Sequence, residues 1–188
     1  AGAVEKTELA YAGDYQVVVT GRYGEARAYT LSNDSGFRRV TALAASNGTV
    51  TNSFTGALVF ESRDKLLNVT RYEYSTDGSY ASARYDAFGT PQERKTVTVR
   101  DANYRVSSIL IQAKSGTSYV TKQEQSFTYN SRSQVATQTI KDPATLLTRT
   151  TTTTYCEQSD VDAGTCPFVG LVKSINGART DVADTISY

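Results

Sequence analysis

A short phrase recurs through the middle of this chain and constrains the fold more than any other feature: an alternating aromatic strand, an Asp or Asn, and a compact turn. Tyr85-Asp86-Ala87-Phe88-Gly89 is its clearest copy. Arg100-Asp101-Ala102-Asn103-Tyr104-Arg105-Val106 repeats it with Tyr104 in the Gly position, and Phe127-Thr128-Tyr129-Asn130-Ser131-Arg132-Ser133-Gln134-Val135 repeats it with Ser133 there. Asp86 and Asp101 lie 15 positions apart and Asp101 and Asn130 lie 29 apart, nearly double. A fixed period of this kind marks stacked units that bury their faces against their neighbours. Alternating Tyr, Thr and Val suit a pleated strand, an Asx side chain closes a turn on its own backbone, and Gly supplies positive φ.

These phrases resemble the YD repeats of the Rhs (rearrangement hotspot) family, whose units read roughly Tyr-Asp-x-x-Gly-x-apolar with a Tyr-x-Tyr or Phe-x-Tyr lead-in. Tyr72-Glu73-Tyr74 and Phe127-Thr128-Tyr129 match the lead-in, while Tyr85, Asp86, Gly89, Asp101, Tyr129 and Asn130 are the repeat-turn residues. The segments Thr150 to Glu157, Thr165-Cys166-Pro167 and Leu171-Val172-Lys173 are similar to stretches between such repeats. The resemblance covers about residues 71–188 and is weaker before them. It implies a secreted or surface bacterial β-structure, a long strand spiralling into a shell around a toxin cargo, without catalysis by the repeats. Beyond Asp142-Pro143 no context resembles the self-cleaving core of that family.

Composition narrows the classes of function. The chain has 188 residues, enough for one domain or one elongated repeat array, with 20 basic and 19 acidic side chains and a net charge of +1. No Lys/Arg block is present for a phosphate backbone, so no nucleic-acid partner is expected. Thirteen Tyr against three Pro favour strands. His, Trp and Met are absent, which removes whole classes of chemistry and leads to the expectation that the chain is processed or belongs to a larger parent. Residues 1–10 lack a basic region followed by a long apolar run, and no apolar run is long enough for a membrane-spanning helix.

In chain order the pattern reads strand after strand. Thr7 to Tyr11 and Tyr15 to Thr20 flank the turn Ala12-Gly13-Asp14, and Gly21-Arg22-Tyr23-Gly24 leads into a strand from Ala26 to Leu31. Ser32-Asn33-Asp34-Ser35-Gly36 reads as a turn before a strand from Phe37 to Ala44, and Asn47-Gly48 as a hairpin signal. Residues 58–67 admit either a helix or a strand followed by a turn, the strand being favoured. Leu146 to Tyr155 is a long strand after the break at Asp142-Pro143, and Asn176-Gly177 precedes a return strand from Thr180 to Tyr188. The expectation is an all-β fold of repeated antiparallel hairpins in an elongated or curved sheet, with little or no helix. Residues 1–70 form an N-terminal β-meander and residues 71–188 a YD-repeat-like region.

Cys156 and Cys166 bracket an acidic loop. Ten positions apart, they either bond to each other, as expected of a secreted chain, or remain two buried thiols; the spacing is not that of a CxxC redox motif. Glu157, Asp160 and Asp162 are too sparse for a calcium loop and read as solvated, so no metal or other cofactor is expected. Enzyme readings lack parts: without His a serine has no common base, and nothing selects a carboxylate pair from Asp14, Glu61, Asp86 or Asp101. The expected function is therefore non-catalytic: a secreted, extracellular or cell-surface YD-repeat β-subunit that builds a shell or fibre by strand stacking. Its partners are itself, as a homopolymer, or the rest of a longer chain. The alternative is an adhesin module whose Tyr/Thr faces hold a cell-surface glycan.

Overall fold

The computed structural model describes residues 7–21, 23–34, 36–179, 181 and 183–188. Residues 1–6, within the stretch 1–10 that lacks a leader pattern, lie outside that set, as do Arg22 and Ser35 in two expected turns and Thr180 and Val182 in the expected return strand. The protein is all-β and antiparallel, and its strand order in the sheet is the order of the chain. Two compact units are distinguished, Ala1–Arg94 and Lys95–Tyr188, so the division falls within the stretch that the sequence pattern groups as 71–188.

The first unit contains β1 (Glu8–Tyr11), β2 (Gln16–Thr20), β3 (Ala26–Asp34), β4 (Phe37–Ala45), β5 (Gly48–Thr55), β6 (Leu58–Arg63), β7 (Val69–Tyr74) and β8 (Ala81–Asp86), each paired with the next. β9 (Arg94–Arg100) leads into the second, which contains β10 (Val106–Ser115), β11 (Ser118–Tyr129), β12 (Val135–Lys141), β13 (Thr148–Tyr155), α1 (Gln158–Asp162), β14 (Val172–Asn176) and β15 (Thr185–Ser187). From β10 to β15 each strand again pairs with its successor.

Two boundaries differ from the sequence pattern for local reasons, and one ambiguous stretch is settled as the favoured strand. β3 continues through Asn33 to pair Asp34 with Phe37, because a bulge at Thr30/Leu31 keeps the pairing in step past the expected turn. The ambiguous stretch 58–67 is β6 followed by a turn, its β-branched and aromatic start favouring the ladder. β13 begins at Thr148, since Leu146 is taken into a turn at φ 59°. The five-residue helix α1 stands in what reads as a plain loop, and its signal was Glu157-x-x-Asp160: the two side chains form a capping box across its first turn.

Almost nothing is deeply buried. Among the described residues only Ala83, Tyr85, Glu93, Cys156 and Cys166 are buried. The accessible surface is 12576 Å², whereas two separate compact units of half the mass would expose roughly 10,600 Å² together. Among the described residues the packing contacts within each unit join consecutive strands.

Register and alternation show what that leaves open in the second unit. Ser126, Thr128, Thr137, Thr139, Thr150, Thr152, Thr154 and Ser174 share one face of β11–β14. Hydroxyl pairs join strands across it: Thr128 with Thr137 at 2.6 Å, Thr139 with Thr150 at 2.9 Å and Thr154 with Ser174 at 2.7 Å. The other face carries Ile109, Phe127, Ile140, Ile175 and Ile186 interspersed with Gln125, Gln138, Arg149, Thr151 and Thr153. Ile140 and Ile186 are 38% and 58% exposed there.

Left-handed residues punctuate the turns. Gly89 has φ 82°, and a Cβ built on it meets nothing within 4 Å, so substitution meets backbone strain alone. Gly89→Val is expected to destabilise by about 1–2 kcal/mol. Leu67, left-handed at φ 66° and 68% exposed, is the converse case. Leu67→Asn should stabilise by about 0.5–1 kcal/mol. Thermal melts of both variants check the opposite signs.

Candidate functional site

The recurring phrase has a defined geometry at Asp64, Asp101 and Asn130. In each, the Asx backbone carbonyl accepts from the N–H three residues on: Leu67 at 3.0 Å, Tyr104 at 2.9 Å and Ser133 at 3.0 Å. Each Asx N–H donates to the carbonyl four residues on, at 3.0 Å to Asn68, 2.8 Å to Arg105 and 2.9 Å to Gln134. One Asx side-chain oxygen accepts two backbone N–H groups, those of Leu66 and Asn68, Asn103 and Arg105, or Arg132 and Gln134. The residue at the third position is left-handed in every case: Leu67 at 66°, Tyr104 at 60° and Ser133 at 62°. The side-chain bonds fix a conformation that Gly would otherwise be needed to reach.

The Asp64 copy went unnoticed in sequence, although Asp64-x-x-Leu67-Asn68-Val69 parallels Asp101-x-x-Tyr104-Arg105-Val106. Asp86 is arranged differently. It ends β8 and its carboxylate takes Arg84, at 2.6 Å, while the loop beyond it places both Ala87 and Gly89 at positive φ. That loop is held by Glu93, which accepts the Gly89 N–H at 2.8 Å and is 2% exposed. Tyr85, in the strand before it, donates its phenol to Glu73 at 2.7 Å. Burial first, then the bond to Glu73, pushes the Tyr85 phenol well above its ordinary pKa.

A second device recurs at strand ends. Tyr74, Tyr129 and Tyr155 each donate a phenol proton to a backbone carbonyl of the preceding strand, at Val59 (2.8 Å), Val106 (2.7 Å) and Val135 (2.9 Å). At each of these tyrosines the pairing to the following strand slips by one residue, leaving Ser82, Ala136 and Lys173 as the extra residues of β-bulges. A bulge removes ladder partners, and beside the one at Ala136 the Tyr155 phenol from the next strand satisfies the Val135 carbonyl.

In the second unit successive turns also touch. Arg105 lies over the Tyr129 ring at 4.5 Å and donates to the Ser133 hydroxyl at 3.2 Å. Arg132 makes a two-pronged contact with the Glu157 carboxylate, and Gln134 donates to the Gly170 carbonyl at 2.7 Å. The last step is closed by the disulfide Cys156–Cys166, whose Cα atoms are 6.0 Å apart. The acidic side chains of this loop are engaged: Asp160 caps Glu157 N–H at 2.9 Å and pairs with Lys173 at 2.6 Å, and Asp162 accepts from Gln158 at 2.8 Å. Among the described residues no group of three acidic or thiol side chains is placed to hold a metal ion. A disulfide of this kind belongs to an oxidising compartment.

The hydrogen bond and ion pair from Arg105 hold the half-buried Asp101 carboxyl below its ordinary pKa, and Asn68 does the same for the exposed Asp64. A carboxylate depressed in the folded state contributes stability that is present above its unfolded pKa and is lost as pH falls through the folded value. Melting temperature should therefore hold steady above about pH 5 and fall below about pH 4. Asp101→Asn, which copies the titration-free turn of Asn130, should flatten part of that slope in an acid titration followed by circular dichroism.

No protein-family model matches the chain, and no curated protein matches it. Among solved structures it is similar to a porin-like protein from Bacteroides uniformis ATCC 8492, at 11% sequence identity and a TM-score of 0.45, covering 97% of this chain and 81% of that one.

Proposed function

We propose that this chain is a non-catalytic structural β-subunit of the YD-repeat kind, a wall segment completed outside the cell by further copies or by the rest of a longer chain. The observation that carries the reading is the exposure of Ile140 and Ile186 on one face of the second unit's sheet, the face that also holds Phe127 and Ile175. The recurring Asx turns and phenol-to-carbonyl clamps support a repeat whose units hold one another in register without a central core. The disulfide supports an extracellular setting, and the side chains that could have served acid–base chemistry, Glu73, Glu93, Asp101 and Asp160, are committed to turns, caps and loop anchors.

Charging the exposed isoleucines of that face tests the reading. Ile140→Lys and Ile186→Lys, at positions 38% and 58% exposed, should leave the strand signal in circular dichroism intact and abolish assembly seen by electron microscopy. Assemblies of unchanged form in both variants would sink the proposal.

A further inference from the structure

The sequence contains two Leu-Leu pairs, Leu66-Leu67 and Leu146-Leu147. One falls in each unit, in the turn between β6 and β7 and in the turn between β12 and β13. All four side chains stand in solvent: Leu66 is 82% exposed, Leu67 68%, Leu146 70% and Leu147 68%. A single exposed leucine calls for no explanation, but these two turns hold four of the ten leucines in the chain.

The backbone sharpens the observation. In each pair one leucine is left-handed, Leu67 at φ 66° and Leu146 at φ 59°, where Gly or Asn would sit without the strain that a leucine Cβ brings. Both turns are closed by their own bonds. The Asp64 carboxylate accepts the N–H groups of Leu66 and Asn68, while the Asp142 N–H donates to the Leu147 carbonyl at 2.9 Å and the Asp142 carboxylate accepts the Ala144 N–H at 2.8 Å. The leucines are therefore held outward on fixed turns. Strain kept where a better-fitting residue exists belongs to a side chain that acts outside the fold.

The charges nearby select what the leucines meet. Arg63 and Lys65 stand beside the first pair and Arg149 beside the second, all exposed, whereas the acidic neighbours Asp64 and Asp142 have their carboxylates turned to backbone N–H groups. Two aliphatic side chains at a turn tip, with cations on long apolar stems alongside, suit an acyl boundary lying beneath a layer of phosphates. In the second unit Leu147 also borders Ile140, so a further copy of the chain is the competing occupant there.

We propose that each of these turns is a peripheral anchor for the surface of a phospholipid bilayer, its leucine pair entering the acyl boundary and the cations beside it meeting lipid phosphates. The anchor does not depend on the assembly reading, because the Leu66-Leu67 turn uses none of the second unit.

Flotation on a density gradient with vesicles of three parts phosphatidylcholine to one part phosphatidylglycerol tests it. The unmodified protein should float with the vesicles in a fraction that grows with lipid concentration. Leu67→Asn combined with Leu146→Asn relieves the strain at both turns, so this double variant should melt no lower than the unmodified protein and yet partition to vesicles about tenfold or more weakly. A purely structural role for the leucines moves the melt downward instead, and that result overturns the proposal. So does an unmodified protein that never floats with lipid, or a double variant that partitions equally. A double variant whose only loss is self-association in lipid-free solution also overturns it, and makes a second copy of the chain the occupant.

Discussion

Serine in place of both Cys156 and Cys166 is expected to lower stability by about 3 kcal/mol, measured by urea denaturation. Closing a loop of about ten residues removes close to 2.7 kcal/mol of chain entropy from the unfolded state. In addition, both sulfurs lie at the only deeply buried positions described in the second unit, so two hydroxyls would enter a site with no partner prepared for them. The loop is an anchor for its neighbour: Arg132 meets Glu157 and Gln134 meets the Gly170 carbonyl, so the turn at Asn130 loosens with it. Adding reductant to the unmodified protein should reproduce most of the loss. An identical urea midpoint with and without reductant would show that the bond carries no constraint.

Truncating Tyr129 to Ala should cost a similar amount, about 3–4 kcal/mol, and the series around it separates the causes. Tyr129→Phe keeps the ring under Arg105 and removes only the proton given to the Val106 carbonyl, at an expected cost of about 1–1.5 kcal/mol. Tyr74→Phe and Tyr155→Phe delete the same bond from Val59 and Val135 and should cost the same within error. Tyr11→Phe, at a position 76% exposed, should be neutral within about 0.5 kcal/mol. Three neutral Phe variants would refute the phenol clamp and leave these tyrosines as packing residues.

Both devices show how far the sequence could be read. The all-β fold and its hairpins follow from alternating Tyr, Thr and Val broken by Gly and Asx, because short-range chemistry decides both strand and turn. The turns at Asp101 and Asn130 are legible for the same reason, since their closing bonds lie within four residues. Asp86 has the better match to the phrase yet does not close such a turn; Arg84 holds its carboxylate, and Glu93, seven residues on, organises the loop. That choice depends on burial, which no local pattern encodes. The clamps from Tyr129 to Val106 and from Tyr155 to Val135 span 23 and 20 residues and depend on register, so sequence shows the tyrosines but not their partners.

The central proposal is that the sheet is half of a structure, its face around Ile140 and Ile186 left for a partner. Sedimentation equilibrium of the unmodified protein over a wide range of concentration measures it directly. The account predicts a mass that rises with concentration above the 20.4 kDa of one chain; a single monomeric species at every concentration would contradict it.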